Sequence, residues 1–197
     1  MSAAFETLLA ETRAVHDAHP EVRDFCPFAT DLTPGDMKPA QMPAAALMAA
    51  DPGLTGGPYS SLIQAVQSAA PEAQWRDTYK EDPISDDFRN RFGVYGLICG
   101  GGYKHSLSMA AFFVYMPAHL HYPMHQHPAE ELYLVLAGEA EFSTREGPKK
   151  TLKPGDTVFH ASNQPHATTT NDAPLLAYVL WRNELNIKPV WSKASQT

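Results

Sequence analysis

HQHPAEELYLVLAG, from His125 to Gly138, sets two histidines in the pattern His125-x-His127, a carboxylate at Glu131 after a gap of three residues, and Gly138 after six more. LYLVLA, between Glu131 and Gly138, is apolar enough for a buried strand and too short for much else. A loop dense in metal-binding groups therefore runs straight into a core strand, which holds its side chains more rigidly than a free loop would. Such a site needs a further coordinating residue from elsewhere in the chain. LKPGDTVFHASNQPHA, from Leu152 to Ala167, offers one: the turn Pro154-Gly155-Asp156 leads into a short strand and then a second turn carrying Pro165-His166.

In this order and spacing the two segments, HxHxxxE with its later glycine and then PGD, a strand and a late histidine, resemble the two motifs of the cupin superfamily. The resemblance covers the second half of the chain. It implies a mainly β fold, a small antiparallel jelly-roll barrel.

At 197 residues the chain fits one domain, or one domain with an elaborate N-terminal extension. Its 44% hydrophobic and 19% charged residues are those of an ordinary globular protein. A formal charge of −7, with no block of lysines or arginines, lacks the electrostatic footprint of nucleic-acid binding. No apolar run approaches the roughly 20 residues of a membrane-spanning helix. The N-terminal MSAAFETLLAETR carries acidic residues where a signal peptide carries basic ones, so a cytoplasmic location is expected. Cys26 and Cys99 stand far apart and read as buried small hydrophobes. Five of the nine histidines, His105, His119, His121, His125 and His127, fall within 23 residues.

Phe5, Leu8, Leu9, Thr12 and Val15 recur at helical spacing over residues 3–18, with Ser2 as N-cap and Pro20 beyond the end. Five prolines then exclude long regular elements up to about residue 57, although Ala44–Ala50 suits a short helix. Tyr59–Ala70 reads as a helix between Gly57-Pro58 and Pro71, and Ser85 caps another at DDFRNRF. Strands are expected over Val94–Cys99 and Leu107–Met116, with a glycine turn between them. Pro117–Pro128 reads as a loop or bulged strand, and Leu132–Ser143 as a hairpin across Gly138-Glu139, followed by a turn at REGPKK. Asp156–His160 and Pro174–Trp181 complete the barrel, and the polar tail after Trp181 trails over the surface with Trp191 as an anchor. Residues 1–92 thus read as a mostly helical region that packs over an open face of the barrel or forms a homodimer interface, and residues 93–197 as the barrel with its metal site.

Residues two apart on an extended strand share a face, so His125 goes with His127 and Glu131 with Tyr133. This parity makes Tyr133 a neighbour of the metal, although the general cupin pattern has no tyrosine there. His127, Glu131 and His166 supply two imidazoles and a carboxylate, a set suited to one divalent or trivalent ion, Fe or Zn first and Mn, Co or Ni after them. Three protein ligands leave positions open to substrate or water. In most metal-binding cupins His125 would be a fourth ligand. Here Tyr133 competes for that place, since a phenolate beside a cation persists at neutral pH. His160 is the competitor of His166 if the second motif is shifted. His119 and His121 read as loop residues.

The segment from Tyr122 through Tyr133, with His166 and Trp181, is similar to the bacterial cupin-type dimethylsulfoniopropionate lyases of the DddQ type. The helical first half and the chain length extend the likeness over nearly all 197 residues. It implies β-elimination of dimethylsulfoniopropionate to acrylate and dimethyl sulfide. By position it implies His127, Glu131, Tyr133 and His166 as metal ligands, Tyr133 as the base with Tyr122 as a second catalytic candidate, and Tyr122, His125 and Trp181 as the lining of a pocket for a sulfonium carboxylate. The chemistry agrees: the substrate's carboxylate suits a metal, its sulfonium suits aromatic faces, and its carboxylate displacing Tyr133 would free the phenolate. A cupin dioxygenase on a small carboxylate, and a non-catalytic ligand-binding cupin, are the alternatives.

Overall fold

Ser2 ends the extended N-terminus by accepting a hydrogen bond from the Phe5 amide, and the first helix follows at once as α1, Ala3–Ala18. Its buried stripe is Phe5, Leu8, Thr12 and His16, one residue per turn. Pro20 cannot continue α1 but suits a new first turn, so α2, Pro20–Phe25, begins there. A two-residue strand β1 (Thr33–Pro34), helix α3 (Pro43–Ala50), helix α4 (Ser60–Ala69) and the Ser85-capped helix α5 (Asp86–Arg91) complete the helical part. The computed structural model describes residues 2–55, 57–79 and 84–192, and none of its helices is long and apolar enough to cross a membrane.

Beyond α5 the chain is β2 (Gly93–Ile98), β3 (Lys104–His105), β4 (Ala110–Met116), β5 (Leu120–Gln126), β6 (Glu130–Gly138), β7 (Ala140–Thr144), β8 (Lys150–Leu152), β9 (Thr157–His160), β10 (His166–Thr170), β11 (Leu175–Arg182) and β12 (Val190–Trp191). These strands form a seven-stranded sheet, ordered β1-β3-β2-β4-β11-β6-β9, and a five-stranded sheet, ordered β12-β5-β10-β7-β8. Neighbouring long strands pair antiparallel. The fold is a mainly β, cupin-type jelly roll with a helical N-terminal part.

Alternation on the seven-stranded sheet divides the interior into two cores. Leu132, Leu134 and Leu136 of β6 join Phe113 of β4, Tyr178 of β11 and the buried stripes of α1 and α4. Tyr133 and Val135, one residue out of phase, join Phe112, Val179, Trp181 and, from the other sheet, Tyr122 and Phe142. Helices α1 to α4 therefore cover the outer face of the large sheet, and the space between the sheets is the barrel interior. At about 1.5–3 kcal/mol for each large apolar side chain fully buried, this double-sided burial explains why β4, β6 and β11 read as nearly continuous apolar runs.

Four short stretches differ from the sequence expectation. The strand expected from Leu107 begins only at Ala110, and Leu107 lies exposed before it. His166 begins strand β10 and is not part of a turn; at the other end of HATTT the Thr170 hydroxyl donates to the carbonyls of Pro117 and Leu120. The expected REGPKK turn ends early, since Lys150 already belongs to β8. The tail folds back over the barrel and pairs Trp191 with His125 at the edge of β5; its last residues, 193–197, lie outside those described.

Candidate active site

Tyr122 and His125 have opposite parity and would face opposite ways on a regular strand. Between their partners on β10 the register slips: His166 faces His125 but Thr168 faces Tyr122, so three steps on β5 oppose two on β10. The extra residue falls at Pro123-Met124, where proline's missing N–H leaves no ladder bond to lose. Both side chains are thereby buried, at 4% and 1% exposure, and stack at 3.8 Å between ring centroids. On β6 the regular alternation turns both Glu131 and Tyr133 inward. Glu131 lies between two cross-strand neighbours, Trp181 of β11 and His160 of β9.

The histidine rings are oriented by backbone carbonyls. Nδ1 of His125 donates to Pro123 O, Nδ1 of His127 to Ala129 O and Nδ1 of His166 to Gln164 O, at 2.9, 3.0 and 2.8 Å. A carbonyl can only accept, so each Nδ1 carries a proton, and Nε2 is the ring atom left to present a lone pair to the cluster. Glu131 Oε1 accepts from Trp181 Nε1 at 2.6 Å. Its Oε2 lies 3.3 Å from His127 Nε2 and 3.2 Å from His166 Nε2. These three atoms have no hydrogen-bond partner. Three buried acceptors pointing at one another require a positive charge among them.

The electrostatics of the protein groups lead to the same requirement. Burial pushes the Glu131 carboxyl up, but His127 and His166 outweigh it and hold it well below the usual range. Burial pulls His127 down, and the Glu131 charge more than reverses that. His125 is driven well below the ordinary imidazole value by burial, then by His166. A transition metal satisfies what a proton on His127 would satisfy only in part, and the donor set of imidazole nitrogens and one carboxylate oxygen fits such an ion. His125, His127 and His166 have ligand atoms within 4.8 Å of one another, as do Glu131, His160 and His166.

A cavity of about 260 Å³ opens beside this cluster, lined by His125, His127, Glu131, Tyr122, Tyr133 and Trp181. Trp181 is thus a cavity wall, tilted over His127 at 4.5 Å and edge-on to Phe112 at 5.2 Å. The Tyr122 hydroxyl shares a hydrogen bond with that of Tyr79, and burial, then Tyr79, pushes its pKa well up. His121 faces outward and bonds Thr169 Oγ1, while His119 sits exposed in a turn at φ 57°. Cys99 is buried, as expected, yet also lines the cavity beside Arg76, its thiol pushed up to about 11 by burial.

Sequence reasoning missed three contributions. His160 was only a competitor for His166, whereas both reach the cluster, because β9 and β10 flank it from different sheets. Phe112 faces the cavity by the same alternation that buries Phe113 on the helix side, a signal readable in Phe112-Phe113 once both faces of β4 are known to be covered. Leu185–Pro189 of the tail line the cavity, while Trp191, the expected anchor, stacks on Tyr79 at 4.0 Å. The aromatic in a polar tail was the available signal.

Residues 22–177 match the model of the dimethylsulfoniopropionate lyase family, a span that includes β5, β6, β9 and β10 with their cluster residues. The chain is 49% identical to dimethylsulfoniopropionate lyase DddQ of Ruegeria pomeroyi over 95% of its own length and 93% of that protein's. The crystal structure of DddQ from Ruegeria pomeroyi superposes with a TM-score of 0.96 at 47% identity, covering all of both chains. A chain from the crystal structures of the DMSP lyases RdDddP and RnDddQII gives 0.91 at 37% identity, over 97% of this chain and 98% of that one. Motif, fold and whole-length likeness coincide on the same strands, and this chain belongs to the dimethylsulfoniopropionate lyase family.

Proposed function

We propose that this chain cleaves dimethylsulfoniopropionate by β-elimination to acrylate and dimethyl sulfide, in the cavity lined by His127, Glu131, Tyr133 and Trp181. The observation that carries the reading is the likeness to DddQ along nearly the whole of both chains. The bare Nε2 atoms of His127 and His166 beside Glu131 support it, because they place a cation-binding cluster on the wall of an aromatic cavity.

His127, Glu131 and His166 would hold a divalent or trivalent metal, Fe or Zn first by donor type, with His125 or Tyr133 as the candidate further ligand. When bound, that ion supplies Lewis acidity, which makes the α-proton of a nearby carboxylate more acidic. Tyr122, Trp181 and Phe112 line the cavity and supply aromatic surface for the sulfonium end. Tyr133 takes the α-proton at its phenolate oxygen. Burial, then the charges of Glu131 and Tyr79, push this phenol's pKa well up, so its use as a base depends on positive charge held at the cluster. Electron flow from the α-carbon expels dimethyl sulfide as a neutral molecule, so no acid is needed at the leaving group. Leu185–Pro189 limit the access of water during the step.

Headspace detection of dimethyl sulfide from the purified protein with dimethylsulfoniopropionate tests the reading. Release under nitrogen that stops on chelation and returns with Fe, Mn or Zn is the expected result. No product with any metal would remove the proposed substrate, and an absolute need for O₂ would favour an oxygenase.

A further inference from the structure

Behind Tyr122, and not itself a wall of the cavity, stands Tyr79. Contacts from other parts of the fold fix it in place. Its ring stacks on Trp191 of the tail, with centroids 4.0 Å and planes 25° apart, and meets Phe88 of α5 edge-on at 6.2 Å. Its backbone carbonyl accepts from Arg89 Nη2 at 3.5 Å. The residue is as buried as the cavity walls. Phenylalanine would make both ring contacts equally well, so what the phenol adds is its hydroxyl, which shares a hydrogen bond with the Tyr122 hydroxyl.

Two bonded hydroxyls hold two protons and use one between them, so one proton remains to be offered elsewhere. Charge decides which hydroxyl keeps it. Tyr122 lines the cavity together with the Glu131 carboxylate, and its stack on His125 at 3.8 Å holds it at the cluster end. An O–H dipole with its proton toward an anion is favoured, so Tyr79 donates and Tyr122 keeps its proton for the cavity. We infer that Tyr79 is a positioning residue: by donating to Tyr122, it leaves the Tyr122 hydroxyl as a hydrogen-bond donor to the carboxylate of the bound substrate. The reverse arrangement would present two oxygen lone pairs to that carboxylate and repel it. A hydroxyl whose direction is set before binding also loses less freedom on binding than one that rotates. The ring surface and the hydroxyl of Tyr122 thus serve opposite ends of one small zwitterion.

This inference rests on the reading of the cavity as the site of dimethylsulfoniopropionate cleavage. Calorimetric titration of acrylate, the carboxylate product, into the metal-loaded protein tests it apart from turnover. Tyr79→Phe keeps the ring and its contacts with Trp191 and Phe88. Acrylate affinity is expected to fall about 10-fold, the worth of one hydrogen bond to a charged group. KM for dimethylsulfoniopropionate should rise by as much, with a smaller change in kcat. A purely structural role would lower affinity by the same factor whether or not Tyr122 keeps its hydroxyl. In a Tyr122→Phe background, therefore, Tyr79→Phe is expected to change acrylate affinity by less than about 2-fold. The double variant leaves neither hydroxyl unpaired, so its comparison with Tyr122→Phe still decides should Tyr79→Phe alone fail to fold. Unchanged acrylate affinity in Tyr79→Phe, a loss confined to kcat, or an equal loss of affinity in both backgrounds overturns the positioning role and leaves the lyase reading standing. An unsubstituted protein that neither binds acrylate nor releases dimethyl sulfide overturns the lyase reading, and the inference with it.

Discussion

Glu131 is the sole carboxylate among the described residues that line the cavity, and Trp181 determines how it is presented. The indole N–H occupies Oε1, which leaves Oε2 to face His127 and His166. Trp181→Phe keeps an aromatic ring and removes the N–H that holds Oε1. We expect metal affinity to fall by about 10-fold, measured as metal retained after dialysis against a chelator, with excess metal restoring turnover. Unchanged retention would mean that the indole only packs. Tyr133 makes the complementary case. Tyr133→Phe removes the phenol but none of the three proposed ligands His127, Glu131 and His166, so kcat should fall about 10²–10⁴-fold, the usual contribution of a positioned base, with metal content largely retained. Near-normal turnover with metal bound would exclude Tyr133 as the base.

Gly138, the last residue of the motif, shows what a sequence pattern records without explaining. It ends β6 at φ +73°, and a Cβ there would stand 1.7 Å from Pro174 O. Gly138→Ala should therefore destabilise the protein by at least about 2 kcal/mol through backbone strain and collision with β11's entry, read as a lower urea midpoint at unchanged slope. Elements of this kind are legible, because glycine, PGD and alternating apolar residues each have a local physical cause. β6 and β11 could be read in that way. β10 could not: HATTT has no apolar face, and its strand exists because β5 and β7 pair with it on either side. Pro117–Pro128 read as a loop or bulged strand, but only the register with β10 puts the bulge at Pro123-Met124 and shows that it turns Tyr122 and His125 to the same side.

At the scale of the molecule, the helical part could be recognised as helical but its seat could not, because periodicity identifies an apolar stripe and not the surface that covers it. The seat is the outer face of the large sheet, and His16 joins the two across it. Its Nε2 donates to Cys26 O at 2.8 Å, and its Nδ1 accepts from the Tyr178 hydroxyl of β11 at 3.1 Å, an arrangement that uses the neutral ring. Fully buried, His16 has its pKa lowered from 6.5, by burial before any other cause. As pH falls, the unfolded chain therefore takes up this proton before the folded one does. The stabilisation is whole above about pH 6.5, the ordinary imidazole value, and is lost as pH falls from there through the lowered folded-state value. The slope approaches at most about 1.4 kcal/mol per pH unit for one proton. His125 and His160 are shifted in the same direction, so the wild type alone would not isolate His16. His16→Gln keeps a donor and an acceptor without titrating, and the other histidines cancel in the difference between the two proteins. Urea unfolding of both at pH 8 and pH 5.5 should show wild type losing more stability than His16→Gln on acidification. Parallel losses would mean that the link between helices and barrel does not titrate, and that the acid sensitivity of the fold lies with the histidines inside the barrel.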